Sequence, residues 1–283
     1  MFSRRWIINY VLIVLIVLFT WVGNRYEVKT GYQPKPEVSI LETADIQSIE
    51  IKTADASLSL RRDSSGWTLA APIAWPANNV NVERLIDIVN SETDSRLDAG
   101  EIDPASIGLD FPRAMLQLND TRVLFGATNN IGERRYTMID STVFLLPDVH
   151  LPFITQGLTG LVDRRLLPKK LTLQSLHLPG LEFTRGEDDS WQAASGEIGR
   201  EQAERLVGNW QSLEASRIKL YNASGTPRQK IEARFADGHS LEFFLMSIVP
   251  EIVIANPKIG LQYHYDKEFY YQLISLRADE YTG

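Results

Sequence analysis

The chain has 283 residues, 44% hydrophobic and 23% charged, with a formal net charge of −7 and no cysteine. That length holds one large domain or two ordinary ones, and the composition excludes wholesale disorder. Without cysteine there is no disulfide, thiolate metal site, cysteine nucleophile or lipidated N-terminal cysteine.

The first element is an apolar run, Trp6 to Val22, with only Asn9 and Thr20 plainly polar. At 1.5 Å per residue its seventeen residues reach about 26 Å, the short end for a spanning helix. Trp6 and Trp21 stand at its two ends, where indoles favour the headgroup layer, and Arg4 and Arg5 before it favour a cytoplasmic N-terminus. Arg25 and Lys29 behind it weaken that asymmetry. A cleaved signal peptide is the rival reading, but bulky Trp21 would sit where a cleavage site wants a small residue. The expectation is an uncleaved signal anchor over 6–22, following a cytoplasmic N-terminus of residues 1–5. Residues 1–30 carry four Lys/Arg and one Asp/Glu, which leaves 25 basic against 35 acidic residues beyond them, a net of −10. A body so acidic is a poor match for nucleic acid and is repelled by anionic lipid.

Residues 23–37, polar with Gly31, Pro34 and Pro36, read as a stalk. A first unit is expected over 38–162. Its SIEIKTADASLSLRR stretch alternates, with Ile49, Ile51, Leu58 and Leu60 on one face; Asp63 to Gly66 is a turn, and Trp67 restarts a strand. Val82, Leu85, Ile86 and Val89 then mark one face of a helix, with Asn79 or Asn81 as its N-cap. Strands follow at RAMLQLN, TRVLFGA, RYTMI and TVFLLP. A second unit, over 163–283, repeats this order. LTLQSLHL and LEFTR lead into the turn Gly186 to Ser190 and Trp191, and Ala203, Leu206, Val207, Trp210 and Leu213 line a helix. QKIEARF, SLEFFLM, EIVIA and IGLQYHY complete it.

The helices carry the clearest repeat. ERLIDIVNSETDSRL from Glu83 and ERLVGNWQSLEASRI from Glu204 agree at six of fifteen positions without a gap. A period near 120 residues is a domain-sized duplication. The expected fold is therefore α+β: a transmembrane helix, then two tandem duplicated units, each mainly antiparallel strands with one principal amphipathic helix. The boundary falls in GLTGLVDRRLLPKK, Gly157 to Lys170.

Motifs for phosphate binding, zinc proteolysis and serine hydrolysis do not occur in the sequence. His264 and Asp266 share a strand face, but two ligands do not make a metal site. Glu187, Asp188 and Asp189 stand in a turn, where solvated acids are ordinary. No catalytic residue, metal or cofactor is expected. Trp67 and Trp191, in equivalent places, read as core anchors. The candidate partner surface consists of Trp75, Tyr263, Tyr265, Tyr270 and Tyr271, since tyrosine and tryptophan are enriched at interfaces, with packing within the sheet as the favoured alternative for the tyrosines.

Taken together, Gly108-Leu109-Asp110-Phe111-Pro112, Leu124-Phe125-Gly126, Tyr136, the Gly66-Trp67 turn with Pro72, and Arg164-Arg165-Leu166-Leu167-Pro168 resemble domain-of-unknown-function family 4340. The resemblance covers most of residues 40–220, and Ser190 stands before Trp191 where the first unit has glycine. It implies an N-terminal membrane anchor, a body outside the cytoplasm, and genes beside ABC-transporter permease and gliding-type components. It brings no active site. The expected function is a non-enzymatic, single-pass bacterial inner-membrane protein with a periplasmic body, an accessory or interaction subunit of a membrane complex such as an ABC transporter. The alternative is a periplasmic module binding a glycan, peptide or envelope polymer in a groove between the units. An envelope hydrolase is a third reading, and it needs paired carboxylates.

Overall fold

The computed structural model describes residues 4–25, 37–93, 95–129, 132–196, 198–223, 227 and 229–276. The chain divides into two compact units, Met1–Pro36 and Glu37–Gly283. In the first, helix α1 (Arg4–Arg25) has 22 residues, about 33 Å of helix. Its side chains are described at Trp6 and at residues 12–21, and all of them are exposed. Among the described residues no helix is long and apolar enough to cross a membrane. The described side chains cover only part of the seventeen-residue run. Of the expected stalk, residues 26–36 lie outside the described residues.

The second unit opens with β1 (Ser48–Thr53), β2 (Ser57–Asp63), β3 (Gly66–Ala71) and the short β4 (Trp75–Pro76). Helix α2 (Asn79–Ile86) follows, then β5 (Arg96–Asp98), β6 (Ala114–Leu118), β7 (Thr121–Asn129), β8 (Arg134–Ile139) and β9 (Thr142–Pro147). Two short helices, α3 (Leu151–Thr155) and α4 (Leu158–Leu161), lead to β10 (Leu173–Leu178), β11 (Leu181–Arg185) and β12 (Trp191–Ala193). Helix α5 (Arg200–Ser212) precedes β13 (Arg217–Leu220), β14 (Gln229–Phe235), β15 (Ser240–Ser247), β16 (Glu251–Asn256) and β17 (Leu261–Asp266), and α6 (Tyr270–Leu273) comes last.

All strand pairs are antiparallel, in two sheets. The first runs β4-β3-β2-β1-β6-β7-β8-β9-β5 and the second β12-β11-β10-β14-β15-β16-β17-β13. Set β4 aside, and each strand of one order has its counterpart in the other. Both halves also enter alike: Glu37 bridges to Glu92 and Arg165 to Glu214, in each case just beyond the principal helix.

Two local expectations need correction. The alternating stretch from Ser48 is two strands, joined by a turn in which the Thr53 amide donates to the Ala56 carbonyl at 2.9 Å. Ile51 pairs with Leu58 and Ile49 with Leu60, so the four share one face only because the chain turns; the shift of the apolar positions from odd (49, 51) to even (58, 60) is the mark of that turn. The N-cap of α2 is Asn78, whose side chain accepts from the Asn81 amide at 3.2 Å. Asn79 accepts from the Trp67 amide at 2.8 Å instead, and Asn81 donates to the Gly160 carbonyl at 2.8 Å. A Cβ on Gly66 would come within 2.6 Å of Asn79, and Gly66 has φ +114°, so glycine suits this turn twice over. The second half solves the same turn differently, with Asp189 at φ +64° and the Gly186 amide donating to the Ser190 carbonyl at 2.8 Å.

The stretch expected as a boundary is packed into the core. Leu161, Val162 and Leu166 are fully buried, and a single apolar core runs through both halves. Asn78 donates from its amide to the Leu161 carbonyl at 2.7 Å, and Asp163 to the Pro76 carbonyl at 2.9 Å. On the other side the Arg164 guanidinium donates to the carbonyls of Ala215 (2.6 Å) and Ser216 (2.5 Å). The connector thus ties the start of α2 to the end of α5.

Candidate interaction surface

The five aromatic residues expected on a partner surface divide into two groups. Trp75, Tyr263 and Tyr265 are buried, at 6%, 0% and 1% exposure, so they are not surface residues. Period-two alternation explains this: Leu261, Tyr263 and Tyr265 share the inward face of β17 with Ile252 and Ile254 of its neighbour, and Gln262 and His264 take the outward face. Burial pushes both phenols up, reinforced at Tyr263 by the charge of Asp163, so both stay neutral. Tyr265 donates to the Leu213 carbonyl at 3.4 Å.

Tyr270 and Tyr271 do reach the surface, the first half-buried and the second 49% exposed, with their rings edge to face at 5.3 Å. They belong to α6, which α5 holds in place. Trp210 Nε1 donates to the Leu273 carbonyl at 2.6 Å and Asn209 Nδ2 to that of Gln272 at 3.2 Å. Beside them, the turn between β15 and β16 presents Val249 at 69% exposure. Ile248, Val249, Lys267, Glu268, Tyr270 and Tyr271 line a hollow of about 450 Å³. A second depression of about 200 Å³ adjoins it between α5 and α6, sharing Glu268 and Tyr271. An apolar hollow with one cation and one carboxylate on its rim suits docking of an apolar side chain. Neither Val249 nor the hollow stands out in the sequence. Ile248 and Val249 are a short apolar pair before a proline, and the hollow joins segments some twenty residues apart.

Trp67 and Trp191 are both core residues, as expected, at 3% and 9% exposure. Trp67 Nε1 donates to Glu83 at 3.1 Å, and Arg62 lies over its ring at 5.6 Å. Of the titratable groups, His264 Nδ1 is 2.8 Å from Glu251, which also takes both oxygens to Arg217 at 2.7 Å. Arg135 forks onto Asp148 at 2.8 and 2.6 Å. In the acidic turn, Asp188 accepts from Ser190 at 2.5 Å, which holds its carboxyl below the usual range, and Asp189 pairs with Arg185 at 3.1 Å. Among the described residues no three His, Cys, Asp or Glu side chains are grouped so as to hold a metal ion.

The family described as a domain of unknown function (DUF4340) matches residues 67–224. That stretch takes in the connector and both principal helices, while the hollow at Ile248 to Tyr271 lies beyond it. No curated protein and no solved structure matches the chain.

Proposed function

The chain belongs to the DUF4340 family, and from that premise we propose that it is a non-enzymatic, single-pass inner-membrane protein of a bacterium. Its body stands in the periplasm as an accessory or interaction subunit of a membrane complex, an ABC transporter being the leading candidate. The anchor is the apolar run Trp6 to Val22, with Trp6 and Trp21 at the two interfaces. The body is one duplicated unit: the six shared helix positions and the matching strand orders have a common origin in a repeated gene segment.

The observation that carries this reading is the packed connector. With Leu161, Val162, Leu166 and Leu167 closing the junction, the two halves act as one rigid body that engages partners from its outside. A periplasmic binding module with a groove between the halves needs an open, aromatic-lined cleft. Leu161, Val162, Leu166 and Leu167 fill the junction instead, which speaks against such a cleft.

Alkaline phosphatase fused after Gly283 tests the orientation, and activity is expected. Purification of the full chain in mild detergent tests the role. A defined partner should remain bound after size exclusion, and a solitary chain would count against the proposal.

A further inference from the structure

In the first half, the chain that leaves the sheet returns across the principal helix. After β9 come α3 and α4, and α4 lies against α2. Asn81 Nδ2 donates to the Gly160 carbonyl at 2.8 Å, and Leu161 is fully buried. His150 Nδ1 lies 3.2 Å from the Arg84 carbonyl beside it. The second half follows the same course at a constant offset. Strand β9 begins at Thr142 and β17 at Leu261, 119 residues on, and the same step carries the start of α3, Leu151, to Tyr270, the start of α6. Applied to α4, it reaches residues 277–280, within a stretch (RADEYTG, 277–283) that lies outside the described residues.

What α5 offers to that stretch is the depression of about 200 Å³, lined by Gln202, Arg205 and Asn209 and, across from them, by Glu268 and Leu276. Gln202 and Arg205 are the counterparts of Asn81 and Arg84, at the offset of Glu83 and Glu204. We propose that residues 277–283 dock in this depression as α4 docks on α2, with Asp279 and Glu280 meeting Arg205. The inference rests on the duplication proposed above, not on the anchor or the complex. Continuity of the chain selects this occupant. Leu276 itself lines the depression, and Asp279 and Glu280 reach at most about 10 and 14 Å beyond it. Tethering holds such a segment at millimolar effective concentration, so a small contact suffices. The chemistry differs from that of the first half on both sides of the contact. Where α4 brings Leu158 and Leu161, the same places hold Arg277 and Glu280, and Val149 corresponds to Glu268. The charges are complementary: Arg277 answers Glu268, and the two acids answer Arg205. The amide side chains of Gln202 and Asn209 each carry donors and an acceptor, which suits a polar segment. Because Glu268 and Tyr271 line the neighbouring hollow as well, the docked segment borders the surface proposed for partners.

Hydrogen exchange of the full chain in mild detergent, read by mass spectrometry, tests the docking. The amides of residues 278–283 should exchange at least about tenfold more slowly than those of the free peptide RADEYTG. Arg205→Glu sets like charges against each other and should bring them to within about twofold of the peptide. The amides of α5 should stay protected in that variant, which shows that it folds. Adding Asp279→Lys and Glu280→Lys to Arg205→Glu should restore the protection. Peptide-like exchange in the unaltered chain would overturn the docking. Protection that survives Arg205→Glu, or that the reversed charges fail to restore, would overturn the seat on Arg205. The phosphatase fusion and the co-purification score the membrane reading separately, so an unprotected segment refutes this inference alone.

Discussion

On the outer face of the first sheet, Leu124, Tyr136, Met138 and Val143 lie under Ala99, Ile102, Ile107 and Leu109. The matching face of the second sheet carries ion pairs: Lys230 with Glu242, Arg234 with Glu232 at 2.8 Å, and Arg217 with Glu251 at 2.7 Å. Strand order and the inward apolar face are common to both halves, so the difference follows from one loop. Residues 99–113, fifteen between β5 and β6, reach back across the first sheet and bury an apolar outer face; the second half has eight residues between β13 and β14, and its outer face carries charge beside the buried Val253, Ala255 and His264. Exposed pairs of this kind add little stability. The first half is thus packed on both faces of its sheet, and the second draws its stability from the inward face and its larger helix.

The largest expected effect probes that helix. Trp210 of α5 is fully buried, edge to face with Phe243 at 5.7 Å, and Val89 is its counterpart at the same offset as Glu83 and Glu204. Trp210→Ala should cost about 3–5 kcal/mol of unfolding free energy in urea melts of the full chain. Val89→Ala removes two methyl groups and should cost about 2 kcal/mol. Equal costs would show that Trp210 in α5 and Val89, in the turn that follows α2, carry the same share of the core.

Leu166→Ala asks whether the halves are separable at all. It opens a cavity in the connector and should cost about 2–5 kcal/mol. Because one core spans both halves, circular dichroism and tryptophan fluorescence should still report one coincident transition. Two resolved transitions would break the single-body description.

The inward faces were legible in the sequence because period and burial agree there. Val82, Leu85, Ile86 and Val89 are all fully buried, as are Ala203, Val207 and Trp210. Strands β9 and β14 begin and end at the residues their alternation predicts. The surface was less legible, since alternation says that Tyr263 and Tyr265 share a face but not which face is inside. Only the pairing with Ile252 and Ile254 decides it. Phe111 was quoted in a family motif, but its exposure depends on Leu109 turning inward two residues earlier, with Gly108 in the left-handed region at φ +69°. The connector reads as a boundary because its four leucines and one valine lack periodicity and stand among five charged residues, yet Leu161, Val162, Leu166 and Leu167 are the ones the two halves enclose.

A smaller contrast lies in the paired tryptophans. Trp67→Phe keeps most of the apolar area but removes the donor to Glu83, leaving a half-exposed carboxylate that water can solvate. A loss of about 1 kcal/mol is expected. Trp191 makes no indole hydrogen bond among the described contacts, so Trp191→Phe should cost less. The reverse order in matched urea melts would mean that packing, not the hydrogen bond, separates the two sites.

The smallest effect is in pH, and it again sets one half against the other. His150 in the first half and His264 in the second are both buried, and burial holds both below the ordinary histidine value. At His150 the Arg84 carbonyl, 3.2 Å from Nδ1, opposes that shift, together with the charges of Asp87 and Asp148. At His264 the Glu251 carboxylate opposes it, while Arg217 and Lys219 add to it. A lowered folded value means that the unfolded chain binds more protons once pH drops below about 6.5. Their contribution is therefore complete above that pH and declines as pH falls toward 5, a window in which ordinary carboxylates have barely begun to titrate. His264 keeps a carboxylate at 2.8 Å to receive its proton, and His150 has only a carbonyl at hydrogen-bonding distance. Replacing His150 with Asn should flatten the pH dependence of urea melts between 7.5 and 5 more than the same change at His264. A larger flattening at His264 would mean that Arg217 and Lys219 outweigh Glu251 there.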